Sequence, residues 1–151
     1  MKIKIVVEGN PKPYASFTYG KPRSTRIAMQ AWKKKVAQAA ASVAADIRLF
    51  DPITGEAVSV DTHFHIEPPK SAPKKEKNYI AYKNARIFGG GRGNPDLDNL
   101  RKATIDGLQE VIIEDDAQII AGAMSKQYVE CRNGEPFVLI VITTGNDLVL
   151  L

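Results

Sequence analysis

Residues 94–119 read NPDLDNLRKATIDGLQEVIIEDDAQI, and the organisation of the chain follows from how this stretch folds. Pro95 restricts the residue before it to extended backbone, so a helix is expected to begin just after it. Leu97, Leu100, Thr104, Leu108 and Val111 recur at spacings of three and four, which gives that helix one apolar face. Asp96 and Asp98 fall at its N-terminus, where carboxylates are favoured and exposed N–H groups suit phosphate. Asp98 and Lys102 are four residues apart, share a face and are able to pair. Asp115 and Asp116 follow the apolar run Val111 to Ile113, in a turn.

Each acidic residue has an ordinary reading as well. One of Asp96 or Asp98 could serve as an N-cap, Asp98 with Lys102 could form a surface ion pair of little worth, and Asp115-Asp116 could be a solvated turn. Taken together, three or four carboxylates gathered by one helix and its following turn repel one another unless a cation neutralises them. Oxygen-only clusters of this kind suit Mg²⁺ or Mn²⁺.

The segments PDLDNLRKATIDGL and EDDAQI closely resemble the signature of the RusA-type Holliday junction resolvases (crossover junction endodeoxyribonucleases), a family common in phages and prophages. The strong likeness covers about a sixth of the chain, and a fainter one extends to the opening strand, the basic segment near Lys21 and the PPKS stretch. The resemblance implies metal-binding carboxylates at Asp96, Asp98 and Asp116 and an essential lysine at Lys102; Asp115 stands beside the third ligand, and whether it or Asp106 assists is left open. It further implies Mg²⁺ as cofactor (with Mn²⁺ able to substitute), branched DNA as substrate, a homodimer, and roles in DNA recombination and repair. Where the family carries more positive charge before D-x-D, this chain carries glycines.

Outward from the motif, 151 residues suit one small domain, 1–151, with a real core. The net charge of +4 conceals an asymmetry: residues 1–92 hold 17 basic and 7 acidic side chains, and residues 93–151 hold 4 and 10. A basic half able to bind phosphate thus precedes an acidic half able to bind metal. The lone Cys131 forms no internal disulfide, and with no apolar run long enough to span a membrane and no signal-like start, the chain reads as cytoplasmic.

The first strand is expected over Lys2 to Glu8. A loop rich in proline and glycine follows, in which Tyr14, Phe17 and Tyr19 interleave with Lys21, Arg23 and Arg26, a mixture suited to stacking on bases and contacting phosphates or, equally, to tucking aromatics into the core. A helix over about 28–47 has the stripe Met29, Trp32, Val36, Ala39, Val43 and Ile47, and carries Lys33, Lys34 and Lys35. Ala57 to Glu67 alternates as a half-buried strand, with His63 and His65 on its wet face rather than in a metal site.

Residues 68–95 form a long basic and glycine-rich loop with a short helix near 74–84, and Lys70, Lys74, Lys75, Lys77 and Arg92 make it a candidate DNA-gripping segment. Its glycine run lacks the G-K-[ST] ending of a nucleotide-binding loop, so no nucleotide cofactor is expected. Ile119 to Glu130 reads as a strand, Asn133-Gly134 as a hairpin turn, and the apolar run Phe137 to Ile142 as a central strand covered on both faces. The expected fold is α/β (α+β), ordered β-α-β-loop-α-β-β, with two main helices on a four-stranded mixed sheet. The expected function is an Mg²⁺-dependent endonuclease that resolves four-way junctions by paired nicks; the alternatives are a metal-dependent nuclease for other branched DNA and a non-catalytic DNA-binding module.

Overall fold

Alternation sets the sheet. In β1 (Lys2–Glu8) the side chains of Ile3, Ile5 and Val7 are buried and those between them are exposed. In β2 (Val58–Ile66) Val58, Val60, Thr62, Phe64 and Ile66 are buried, and the intervening residues, His63 and His65 included, are half-exposed. A computed structural model describes residues 1–15, 23–87 and 95–150 of the chain. Its further elements are α1 (Arg23–Asp46), α2 (Glu76–Arg86), α3 (Leu97–Leu108), β3 (Ile119–Ala121), β4 (Met124–Tyr128) and β5 (Phe137–Thr144).

The α+β class is as expected, with the sheet five-stranded. The single strand anticipated over 119–130 is divided at Gly122 and Ala123. β3 pairs in parallel with the start of β2, and β4 pairs in parallel with its remainder. Gly122 sits at φ +151, and a Cβ there would stand 2.0 Å from the Val60 carbonyl oxygen, so only glycine fits the break. Asp61 accepts from the Ala123 N–H at 2.8 Å and closes the gap.

β5 lies between β1 and β2, antiparallel to both, which confirms its central place. Its burial alternates, with Val138, Ile140 and Ile142 buried and Phe137, Leu139 and Val141 half-exposed, so one face is covered more fully than the other. The hairpin expected at Asn133-Gly134 does not form. Both edges of β5 are already occupied, and β4 instead takes the far edge of β2. Asn133-Gly134 lies in a turn closed by the Gly134 N–H donating to the Cys131 carbonyl.

α1 begins five residues earlier than its periodicity suggested, and its buried stripe is Met29, Trp32, Val36, Ala40 and Ala44; Ile47 lies beyond its end and is exposed. α1 packs closely against α3. A Cβ on Gly107 would stand 2.8 Å from both the Lys33 carbonyl oxygen and the Val36 Cβ, so the helices approach backbone to backbone there. The Trp32 indole N–H donates to the Thr104 hydroxyl at 3.1 Å, and that hydroxyl donates back to the Leu100 carbonyl at 2.9 Å. This buried relay satisfies each polar group and fixes the register between the helices.

Within the expected long loop, α2 is held by the buried Tyr79, whose hydroxyl donates to the Val129 carbonyl at 2.5 Å. The glycine run 89–93, Lys21 and Arg92 lie outside the described residues. No described helix is long and apolar enough to cross a membrane.

Candidate active site

Two segments bring the acidic residues together. The first is the N-terminal half of α3. Asp96 is its N-cap in extended backbone, φ −62 and ψ 139, but its carboxylate makes no capping hydrogen bond. The ordinary explanation for an aspartate at this position therefore leaves its side chain unspent. Asp98, on the first turn, is exposed, as is Lys102 one turn later.

The second segment is the turn after α3. Glu110, at φ +65, reverses the chain, and Ile112 and Ile113 are fully buried. A 3₁₀ turn at Asp116–Gln118 follows. Asp115 caps it by accepting from the Ala117 N–H at 2.8 Å. Gln118 completes a reciprocal box: its amide oxygen accepts from the N–H groups of Glu114 and Asp115 at 2.9 and 3.0 Å. The amide nitrogen donates to the carbonyls of Ile53 and Glu56 at 3.0 and 3.1 Å. One side chain thus ties the turn to the segment that leads into β2, and Asp116 is left exposed on a fixed backbone.

Asp98, Lys102, Asp106 and Asp116 line one open cleft of about 330 Å³, with Arg101, Ile105 and Ile119 completing its wall. Asp96 stands at the head of the same helix. Among the described residues, no three His, Cys, Asp or Glu side chains converge into a ready metal cage. A closed cage is not what Mg²⁺ requires, since it commonly keeps several waters and binds through one or two carboxylates. The donors present fit it in kind: they are carboxylate oxygens, Asp96, Asp98 and Asp116 are exposed, and Asp98 and Asp116 line the same cleft while Asp96 does not. A hydrogen bond shared with Asp115, then burial and the charges of Asp115 and Asp106, push the Asp116 carboxyl up. The Ala117 N–H holds Asp115 down, so of this pair Asp115 ionises readily and Asp116 is the carboxyl whose ionisation a nearby cation would favour.

The remaining polar groups sort into anchored and free. Asp106 is tied to Lys33 at 3.2 Å and accepts from the Gln109 amide at 3.2 Å. The Asp98–Lys102 pair that their spacing allows does not form; the ion pairs among the described residues are Lys33–Asp106 and the N-terminal amine with Asp147. Lys102 instead places its ammonium 3.8 Å from the ring centre of Tyr14. The half-buried Arg101 turns inward and donates to the Val60 carbonyl at 2.8 Å and to the Thr62 hydroxyl at 3.1 Å, clamping α3 to β2.

Of the anticipated phosphate contacts, Lys33 is engaged with Asp106, and Arg26 lines a second hollow with Tyr14 and Lys33. Lys34 lines a third hollow with Lys12 and Lys35. Arg23, Lys70, Lys74, Lys75 and Lys77 are exposed. Arg101 and Gln118 were not singled out from sequence. The D-x-x-Q spacing of a capping box could have exposed Gln118, whereas nothing in Arg101-Lys102 reveals which of two adjacent cations turns inward.

No curated protein matches the chain. The family model described as endodeoxyribonuclease RusA matches residues 5–142, which takes in every described residue of the cleft and all five strands apart from the ends of β1 and β5. The chain belongs to the RusA endodeoxyribonuclease family.

Proposed function

We propose that this protein is a Mg²⁺-dependent endonuclease that resolves four-way DNA junctions, working as a homodimer that nicks two opposed strands. The observation that carries the reading is the meeting of Asp98, Lys102 and Asp116 in one open cleft, from two separate segments of a chain in this family. Asp96, Asp98 and Asp116 would hold the cation, which when bound supplies Lewis-acid polarisation of a phosphodiester and a water of lowered pKa. Lys102, one turn beyond Asp98, stabilises the negative charge that builds on the phosphoryl oxygens during in-line attack. The turn made by Asp115 and Gln118 is tied to the segment that leads into β2, and it is from this braced turn that Asp116 faces the cleft. Exposed lysines on α1 and ahead of α2 attract the DNA backbone.

One cleft reaches one phosphate, so symmetric resolution needs two protomers, and an isologous dimer supplies them. Leu148, Val149 and Leu150, of which the last two are well exposed, offer apolar surface for such pairing, as does the half-exposed face of β5. A gel assay of four-way, Y-shaped and linear DNA tests the reading. Cleavage of the four-way substrate that requires Mg²⁺ and spares linear duplex is expected. Equal cutting of linear duplex, or cutting in the presence of a chelator, contradicts it.

A further inference from the structure

We infer that Tyr14 is a positioning residue: its ring holds the Lys102 ammonium away from Asp98, so that the carboxylate stays free for a cation. The inference rests on the metal-nuclease reading above and assigns a part of that site to Tyr14, in the described segment that follows β1. The spacing of Asp98 and Lys102 on one helix favours a direct pair. That pair is absent, and the ammonium sits 3.8 Å from the Tyr14 ring centre, well inside cation–π range.

The backbone that carries the ring is itself anchored. The Tyr14 N–H donates to the Asn99 carbonyl on α3 at 2.8 Å, and the next N–H, of Ala15, contacts the Met29 sulfur of α1 at 3.0 Å. Tyr14 is half-buried against the core, and the Lys33 ammonium lies 5.6 Å from the same ring. Lys33 is in turn paired with Asp106. The two lysines beside the acidic cluster are therefore disposed differently. One neutralises Asp106, while the other is held on an aromatic face that attracts a cation without supplying a carboxylate. Asp98 and Asp116 remain without an ion pair among the described residues. Charge separation of this kind preserves both a cation site and a separate positive group able to meet phosphate.

The test compares wild type with Tyr14→Phe, Tyr14→Leu, Lys102→Met and the Tyr14→Leu/Lys102→Met double variant. The readouts are the Mg²⁺ concentration that half-saturates the rise in melting temperature without DNA, single-turnover cleavage of a four-way junction, and junction affinity. Tyr14→Phe keeps the π face and is expected to match wild type. Tyr14→Leu keeps bulk but not the quadrupole, which releases Lys102 toward Asp98. Its Mg²⁺ midpoint is expected to rise, and its cleavage rate to fall, by about threefold to thirtyfold, with junction affinity unchanged. In the Lys102→Met background, Tyr14→Leu is expected to leave the Mg²⁺ midpoint where it was. A Tyr14→Leu protein with wild-type midpoint and rate overturns the inference, and so does the same midpoint shift in the absence of Lys102 or a Tyr14→Phe protein as impaired as Tyr14→Leu. Failure of the nuclease reading has a different signature, in which wild type neither melts higher with Mg²⁺ nor cleaves, and it takes the positioning role down with it.

Discussion

The turn at 115–118 and the segment at 70–77, which runs into the first turn of α2, are both charged and largely exposed, yet they are built in opposite ways. In the turn, one amide side chain makes four hydrogen bonds and a second side chain caps the backbone, so a single carboxylate is presented on a rigid support. In the segment, the side chains of Lys70, Lys74, Lys75 and Lys77 make neither hydrogen bond nor ion pair among the described residues. Phosphoryl chemistry needs groups placed to within fractions of an ångström, whereas attraction of a DNA backbone needs charge on a surface. On this account the two regions serve different steps, and substitutions in them should fail in different ways.

The largest effect is expected in the cleft. Asp96→Asn, Asp98→Asn and Asp116→Asn should each lower single-turnover cleavage by about 10³-fold or more, and Lys102→Ala by about 10²-fold, with junction binding retained. Lys102→Arg should not restore the rate, because a planar guanidinium is bulkier and places its charge differently. A variant that still cuts at the wild-type rate removes that residue from the site.

Next comes the support. Gln118→Ala should cost roughly 1–3 kcal/mol of stability, read by chemical denaturation, because it removes four hydrogen bonds that brace the turn and leaves only the Glu114 N–H donating to the Ile53 carbonyl, at 3.2 Å, between the two segments. It should also slow cleavage although the side chain touches no substrate. Unchanged cleavage in a destabilised protein would mean that the turn needs no such bracing.

A subtler effect should appear in pH dependence. On the proposed reading the carboxyl of Asp116 has to be ionised to hold a cation, and its neighbours push its pKa up, so the acid limb of any Mg²⁺-dependent activity should lie above that expected of an ordinary aspartate. Asp115→Asn keeps a competent cap while removing the shared hydrogen bond's charge and the repulsion. The acid limb should then move to lower pH, and a shift in the opposite direction would contradict this coupling.

The smallest effect on chemistry belongs to the lysine segment. Lys74, Lys75 and Lys77 changed together to Ala should weaken junction affinity and flatten its logarithmic salt slope by up to about 2.7, leaving saturated cleavage unaltered. Loss of cleavage at saturation would show that the segment also positions substrate.

Much of this was legible in the sequence where period and burial agree. The strict alternation of 57–67 and the three-and-four spacing after Pro95 each match an element in the structure. The turn at Asn133-Gly134 misled because a local hairpin signal competes with sheet-wide pairing, and β5 already had two partners. The break at Gly122 depends on the approach of the Val60 carbonyl, a contact from over 60 residues away that no local pattern encodes. The acidic residues could be named in advance, but their division could not. Asp106 is taken by Lys33 from another helix, and Lys102 by Tyr14 from another loop.

The central claim, that Asp98, Asp116 and Lys102 form one metal-dependent phosphodiesterase site, is tested most directly on a preformed complex. Protein and four-way junction are mixed with chelator at saturating protein, and excess Mg²⁺ is then added. Wild type should remain bound and uncut until the addition, then nick two opposed strands, while Asp116→Asn should stay bound and uncut throughout. Cleavage before Mg²⁺ is added, or strand scission by a clean Asp116→Asn protein, would contradict the account.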